Sequence, residues 1–192
     1  LWVGTQFSGL AIADSRGAPF PFIDLRPATA TARGPVASGS VRAVGQDDAG
    51  FLWIGTDDGR LLRMDASCNL EDMSDLLQSV AGDALSRRVT AIARTADGRL
   101  WLGSMAGLFV LDPRQPSLHA IDVAGFPRLA LRSLEPARGG GLWLGSDHDG
   151  LIHLDWHGGP PRQFLLRNEH PSGAAQPAVH ALLEARDGTL WI

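Results

Sequence analysis

The chain has no tyrosine, no lysine and a single cysteine, Cys68. One thiol can form neither an intramolecular disulfide nor a cysteine-based metal cluster, so packing must hold the fold together. A lone cysteine fits the cytoplasm and equally a bacterial periplasmic domain. Every cation is an arginine and the formal net charge is −4, so no basic field draws the chain to nucleic acid. No apolar run reaches the roughly 18 residues of a membrane span, and no secretory-signal pattern is present. Because the chain opens on Leu1, inside a motif, such segments can lie outside it. Nucleophile motifs, phosphate loops and paired carboxylates are missing as well. The glycines Gly139 to Gly141 form a turn between strands, not a strand-to-helix cradle. No cofactor and no metal are implied.

What is present is repetition. Five of the six tryptophans occur in one pentad: Leu1-Trp2-Val3-Gly4-Thr5, Leu52-Trp53-Ile54-Gly55-Thr56, Leu100-Trp101-Leu102-Gly103-Ser104, Leu142-Trp143-Leu144-Gly145-Ser146, and Leu190-Trp191-Ile192 at the end. The spacings between them are 51, 48, 42 and 48. Twelve residues ahead of each later tryptophan stands an aliphatic (Val41, Val89, Leu131, Val179), and three residues further on another (Val44, Ile92, Leu134, Leu182). A glycine precedes each later tryptophan by three (Gly50, Gly98, Gly140, Gly188). A second glycine, an aliphatic and an aspartate follow each complete pentad, as in Gly107, Leu108 and Asp112.

Each unit reads as strands joined by glycine turns. Four antiparallel strands every ~40–50 residues is the period of a propeller blade. The expected fold is therefore all-β: β-propeller blades of four antiparallel strands, about four blades forming a partial arc of a larger propeller. The units are a partial blade over 1–40, blade I over 41–88, blade II over 89–130, blade III over 131–178, and a partial blade over 179–192. Blade I has the least clear fourth strand, since Leu70 to Leu77 also fits a helical turn. Blades stack face to face, so the repeating Trp2, Trp53, Trp101, Trp143 and Trp191 read as core. The pentad glycines Gly4, Gly55, Gly103 and Gly145 lie two residues on, on the same face, where a missing side chain admits the next blade. An open arc leaves uncovered blade faces. The expected partners are thus the remaining blades of the same chain, with a homodimer of the isolated piece as the other outcome.

Second-to-third-strand turns and the linkers between blades share one end of the propeller. Variable loops on a rigid scaffold are where binding concentrates. That end carries Gln6, Asp57, Asp58, Met105, Asp147, His148 and Asp149. The acidic turns lack the alternating ligands and distal glutamate of a calcium loop. Asp-Gly is the ordinary hairpin turn, and the functional alternative is hydrogen bonding of these carboxylates to ligand hydroxyls. Trp156 falls outside the repeat: it reads first as filler or rim packing, and otherwise as the aromatic to stack on a ligand. His153, Asp155 and His157 alternate along one strand, but a metal site needs further ligands that the sequence does not name. The expected binding set is Asp57, Asp58, Asp147, His148, Asp149 and Trp156.

These pentads, the Asp-Gly turns at Asp97 and Asp187, and the flanking aliphatics resemble the two-component-regulator propeller repeat, best over Val41 to Asp65 and Val89 to Asp112. The pre-tryptophan aspartate is replaced by Ala49 and Gly139, and the family's fourth-strand tyrosines are absent. The resemblance implies rings of about seven blades. It also implies a periplasmic sensor part of an inner-membrane protein that binds a small molecule, a carbohydrate in characterised relatives. The cytoplasmic output module would be a histidine kinase or diguanylate cyclase, neither of which lies in this chain. Two other readings differ in class. Propeller lyases that open cyclic depsipeptide antibiotics carry similar Trp-Gly repeats and use histidines near the axis with a metal. Protein-interaction propellers of the WD type have aspartate after tryptophan, where this chain has an aliphatic.

Overall fold

The fold rests on one turn used four times. In Asp47–Phe51, Thr95–Arg99, Ala137–Gly141 and Ala185–Thr189, the first N–H donates to the fifth carbonyl. The first carbonyl accepts from the fourth residue, always glycine. That glycine sits at φ 88°, 84°, 94° and 84° in turn, in the left-handed region where a side chain is strained. The turn folds each aliphatic strand back onto its pentad.

The computed structural model describes residues 40–80, 87–127, 129–156, 159–165 and 177–192, together with Leu25 and the backbone of 2–4, 10–12 and 22–23. Gln6 and His157 lie outside the described residues. The first sheet holds β1 (Trp2–Gly4), β2 (Leu10–Ile12) and β3 (Phe22–Ile23). Blade I holds β4 (Val41–Gln46), β5 (Leu52–Thr56), β6 (Leu61–Met64) and β7 (Leu70–Asp72), followed by helix α1 (Ser74–Gln78). Blade II holds β8 (Val89–Arg94), β9 (Leu100–Ser104), β10 (Gly107–Asp112) and β11 (Ser117–Ile121). Blade III holds β12 (Leu131–Pro136), β13 (Leu142–Ser146), β14 (Leu151–Leu154) and β15 (Arg162–Phe164). β16 (Leu183–Glu184) and β17 (Leu190–Trp191) form the last sheet. All pairings are antiparallel in chain order. The first strands are neighbours, β4 against β8 and β8 against β12. These strands therefore lie innermost, as in a propeller.

The core is a series of seams between blades. One cluster joins Ala43, Trp53, Leu61 and Leu77 of blade I to Val89, Leu100, Leu102 and Phe109 of blade II. The next joins Ala93, Trp101 and Leu108 of blade II to Leu131, Leu142, Leu144 and Ile152 of blade III. Leu25 with Val41, Leu52 and Ile54 forms the seam on the other side of blade I. This explains strands that are buried along their whole length, such as Leu52–Thr56 and Leu100–Ser104. The pentad glycines face the same seams: a Cβ on Gly55 would meet Val89, one on Gly103 Leu131, and one on Gly145 Val179. Hydrogen bonds lock the inner strands, from Thr90 Oγ1 to the Leu131 carbonyl at 2.6 Å and from Ser133 Oγ to the Val179 carbonyl at 2.8 Å.

Three places depart from the repeat expectation. Leu70 to Leu77 holds both alternatives, a short β7 and then α1. The Asp72 carboxylate accepts from the Ser74 N–H at 3.0 Å, which ends the strand, and the helix turns Leu77 into the seam. Trp53 and Trp101 are buried, while Trp143 is only half-buried and Trp191 is 64% exposed. Among the described residues, the sheet beyond Trp143 has two strands, and no sheet covers Trp191. In the last unit, Val179 is buried, but the strand begins only at Leu183.

Candidate functional site

At one end of the blades, a bulge decides what the acidic turns do. The register slips between Val41 and Ala43, Val89 and Ala91, and Leu131 and Ser133. The residue skipped, Arg42, Thr90 or Arg132, leaves the ladder and can be re-aimed. Arg42 Nε donates to Asp57 Oδ1 at 2.8 Å, and Arg132 Nε donates to Asp147 Oδ1 at 2.8 Å. Arg88, entering blade II, lies 3.6 Å from Asp57, so this carboxylate ties two blades. The Arg132 hydrogen bond holds the Asp147 carboxyl below its ordinary value, against the opposing effect of burial. Asp58 accepts from the Thr56 hydroxyl and lies 3.5 Å from Arg60 Nε.

The same end leaves two groups available. The His148 side chain is 73% exposed, with Nε2 3.4 Å from Asp147 Oδ2. Asp149 is held by its backbone: its N–H donates to Ser146 Oγ at 2.6 Å, and its carbonyl accepts from Gln163 Nε2 at 2.9 Å. Among the described residues its carboxylate has no hydrogen bond or ion pair. Sequence reasoning missed the arginine latches. The signal was there: Arg42 and Asp57, or Arg132 and Asp147, occur together, while blade II has Thr90 and Met105 at both places.

Trp156 is at the opposite end. β14 runs from the Asp147–Gly150 turn to Asp155, so four strand residues separate Trp156 from the acidic turn, roughly 13 Å at the usual rise. The structure does not bring it together with Asp57, Asp58 or the Asp147–Asp149 turn. It reaches back over blade II and stacks on Trp101, with ring centroids 4.6 Å apart.

That opposite end also solves the indole problem, because a buried tryptophan N–H needs an acceptor. Trp53 Nε1–H donates to Asp47 Oδ2 at 2.9 Å, and Trp101 Nε1–H to Thr95 Oγ1 at 3.2 Å. Blade III has Ala137 at this position. Trp143 Nε1–H donates instead to Glu184 Oε2 of the next unit, at 2.9 Å. His153 packs under Trp143, with centroids 4.5 Å apart, and its buried Nδ1 has no partner among the described residues. Burial, then the nearby Arg162 charge, lower its pKa. Among the described residues no group of three or more His, Cys, Asp and Glu could hold a metal ion. No helix there is long and apolar enough to cross a membrane.

The family described as two component regulator propeller matches residues 35–58 and 84–106, the junctions leading into the Trp53 and Trp101 pentads. No curated protein matches the chain. Among solved structures, it is similar to the extracellular domain of a hybrid two-component system from B. thetaiotaomicron, with TM-score 0.71 and 17% identity, covering 99% of this chain and 24% of that one. A second such domain from the same organism gives TM-score 0.58 and 13% identity, covering 99% and 30%. Virginiamycin B lyase from Staphylococcus aureus gives TM-score 0.66 and 12% identity, covering 95% and 55%. At these identities the likeness establishes the propeller fold. The chain spans about a quarter of the length of the first relatives.

Proposed function

Starting from a chain that carries two-component-regulator propeller repeats, we propose that it is part of the periplasmic sensor propeller of a bacterial inner-membrane signalling receptor. The chain does no chemistry itself. It presents a small-molecule site, for a saccharide, and passes binding along the blades to an output module elsewhere in the protein. The observation that carries this reading is the repeat: the family matches both complete junctions around blade I, and the seams make these blades a stiff scaffold. Within the acidic end, the ligand is met by His148 and Asp149. The carboxylates of Asp57 and Asp147 pair with arginines of the first-strand bulges, and that of Asp58 with Thr56 and Arg60 of its own turn. They shape the end rather than grip the ligand.

The test uses the full-length protein with a transcriptional or phosphorylation readout of its output and a panel of oligosaccharides. His148→Ala with Asp149→Ala should lower the response to the active sugar about ten-fold, as expected for losing hydrogen bonds to a charged group. The melting midpoint should stay within about 2 °C, since exposed turn changes usually cost under ~0.5 kcal/mol. An unchanged response removes this site. Protection of the propeller from protease in intact spheroplasts, with cleavage only after lysis, removes the periplasmic assignment.

A further inference from the structure

At the end opposite the acidic turns, a hollow of about 300 Å³ opens between the first hairpin of blade I and the turns of blade II. We propose that it binds a small organic carboxylate with an apolar body, the carboxylate being taken by Arg114. Phe51, Ala49 and Pro113 supply apolar walls, and among the described residues no side-chain hydroxyl or amide lines the space. Such walls do not suit a polyol; they suit a ring or a short branched chain. The Phe51 ring is backed by the Arg63 guanidinium, 4.8 Å from its centroid, which fixes that wall.

The charges select the sign of the ligand. Asp47 is committed: it accepts from the N–H groups of Ala49 and Phe51, each at 3.0 Å, and from the Trp53 indole at 2.9 Å. Asp48 is bound by Arg94, which reaches across from blade II. Arg114 then approaches Asp48 only to 3.8 Å, with its side chain 71% exposed. Two guanidiniums therefore share one available carboxylate, and one planar donor fork stands loosely paired at the rim of an apolar hollow. A second carboxylate completes that set, since the fork matches its two oxygens. Gly98 keeps the place open. A Cβ there would lie 2.5 Å from Asp48 Oδ2 and 3.0 Å from Arg114 Nη2. A ligand so held touches Phe51 of blade I and Arg114 of blade II, and it bridges the seam. The site is independent of the sugar-facing end, so either can fail alone.

The experiment is saturation-transfer NMR and calorimetric titration of the full-length protein with phenylacetate and its neutral isostere phenylacetamide. Phenylacetate should bind, and phenylacetamide about ten-fold more weakly. Arg114→Gln should weaken phenylacetate about ten-fold and leave phenylacetamide unchanged. Arg99→Gln, an exposed arginine outside the hollow, should change neither. The proposal is overturned by no binding of phenylacetate or by equal binding of the two probes. It is also overturned if phenylacetate affinity is indifferent to Arg114→Gln or falls equally with Arg99→Gln.

Discussion

Gly55 and Gly103 occupy the same place in successive blades, yet an alanine should cost very different amounts at the two. At Gly55 the new Cβ would lie 2.8 Å from both Cβ and the carbonyl oxygen of Val89. That is roughly 0.7 Å inside ordinary carbon contact. The obstruction is the first residue of β8, whose carbonyl cannot swing aside. Relief requires opening the seam, which lifts the fully buried Trp53 away from Leu100 and Leu102. Overpacking of this kind costs about 1–3 kcal/mol, less about 0.4–1 kcal/mol gained by restricting the unfolded chain. At Gly103 the nearest atoms are Leu131 Cβ at 3.1 Å and the Leu134 side chain at 3.4 Å. The Leu134 end can yield, and Leu131 Cβ need give by only a few tenths of an ångström, so the same gain roughly cancels the cost. The two variants should differ by about 1–2 kcal/mol, or about 0.5–1 M in urea midpoint. Tryptophan fluorescence reads the transition. If Gly103→Ala falls as far as Gly55→Ala, the seams are not packed by backbone approach as described.

Two further outcomes follow from blade III. Glu184→Ala should leave the Trp143 N–H unpaired and destabilise by about 1–2 kcal/mol, and adding Ala137→Asp should recover much of this by supplying the acceptor that Asp47 supplies in blade I. Equal loss in single and double variants, by urea unfolding, would remove the acceptor argument. The second concerns pH. Burial lowers the His153 pKa, so the unfolded chain binds the proton more readily than the folded one. Its contribution is complete above the unfolded value of about 6.5 and shrinks as pH falls through it. The urea midpoint should drop on going from about pH 8 to about pH 5, and His153→Asn should flatten that part of the profile. A wild-type profile as flat as the variant's contradicts it.

The blades were legible because their signals are local and repeated. Gly50, Gly98, Gly140 and Gly188 each meet the same backbone demand, and the pentads of blades I and II each bury a ring beside a bare backbone. α1 was only half legible, because Leu70 to Leu77 serves strand pairing first and seam packing second, and only tertiary contacts choose where one ends. Packing was a legible reading for Trp156, but its partner was not. Its position after the third strand sets its end of the blade, but nothing in its neighbours announces Trp101 as its partner, 55 residues earlier in the chain. The pairing of the acidic turns was hidden for a related reason. Asp57 and Asp147 look available in sequence, and only the bulge at Arg42 and Arg132 shows them paired.

The strands and the turns therefore divide their work by how closely they obey the repeat. The inner strands and pentads barely vary, since each must fit the next blade within tenths of an ångström. The turns are released from that demand, and they differ: arginine latches in blades I and III, a two-residue turn at Met105 and Ala106 in blade II, an indole acceptor moved from Asp47 and Thr95 to Glu184. Moving the acceptor has a physical consequence. Blade III cannot satisfy its own tryptophan, so its stability is coupled to the unit that follows rather than summed from independent parts. The carboxylate ligand proposed for the hollow beside Arg114 would bridge a seam and so act on the same kind of coupling. On the sensor reading proposed above, contacts between blades, not within them, are the ones a bound molecule would add to.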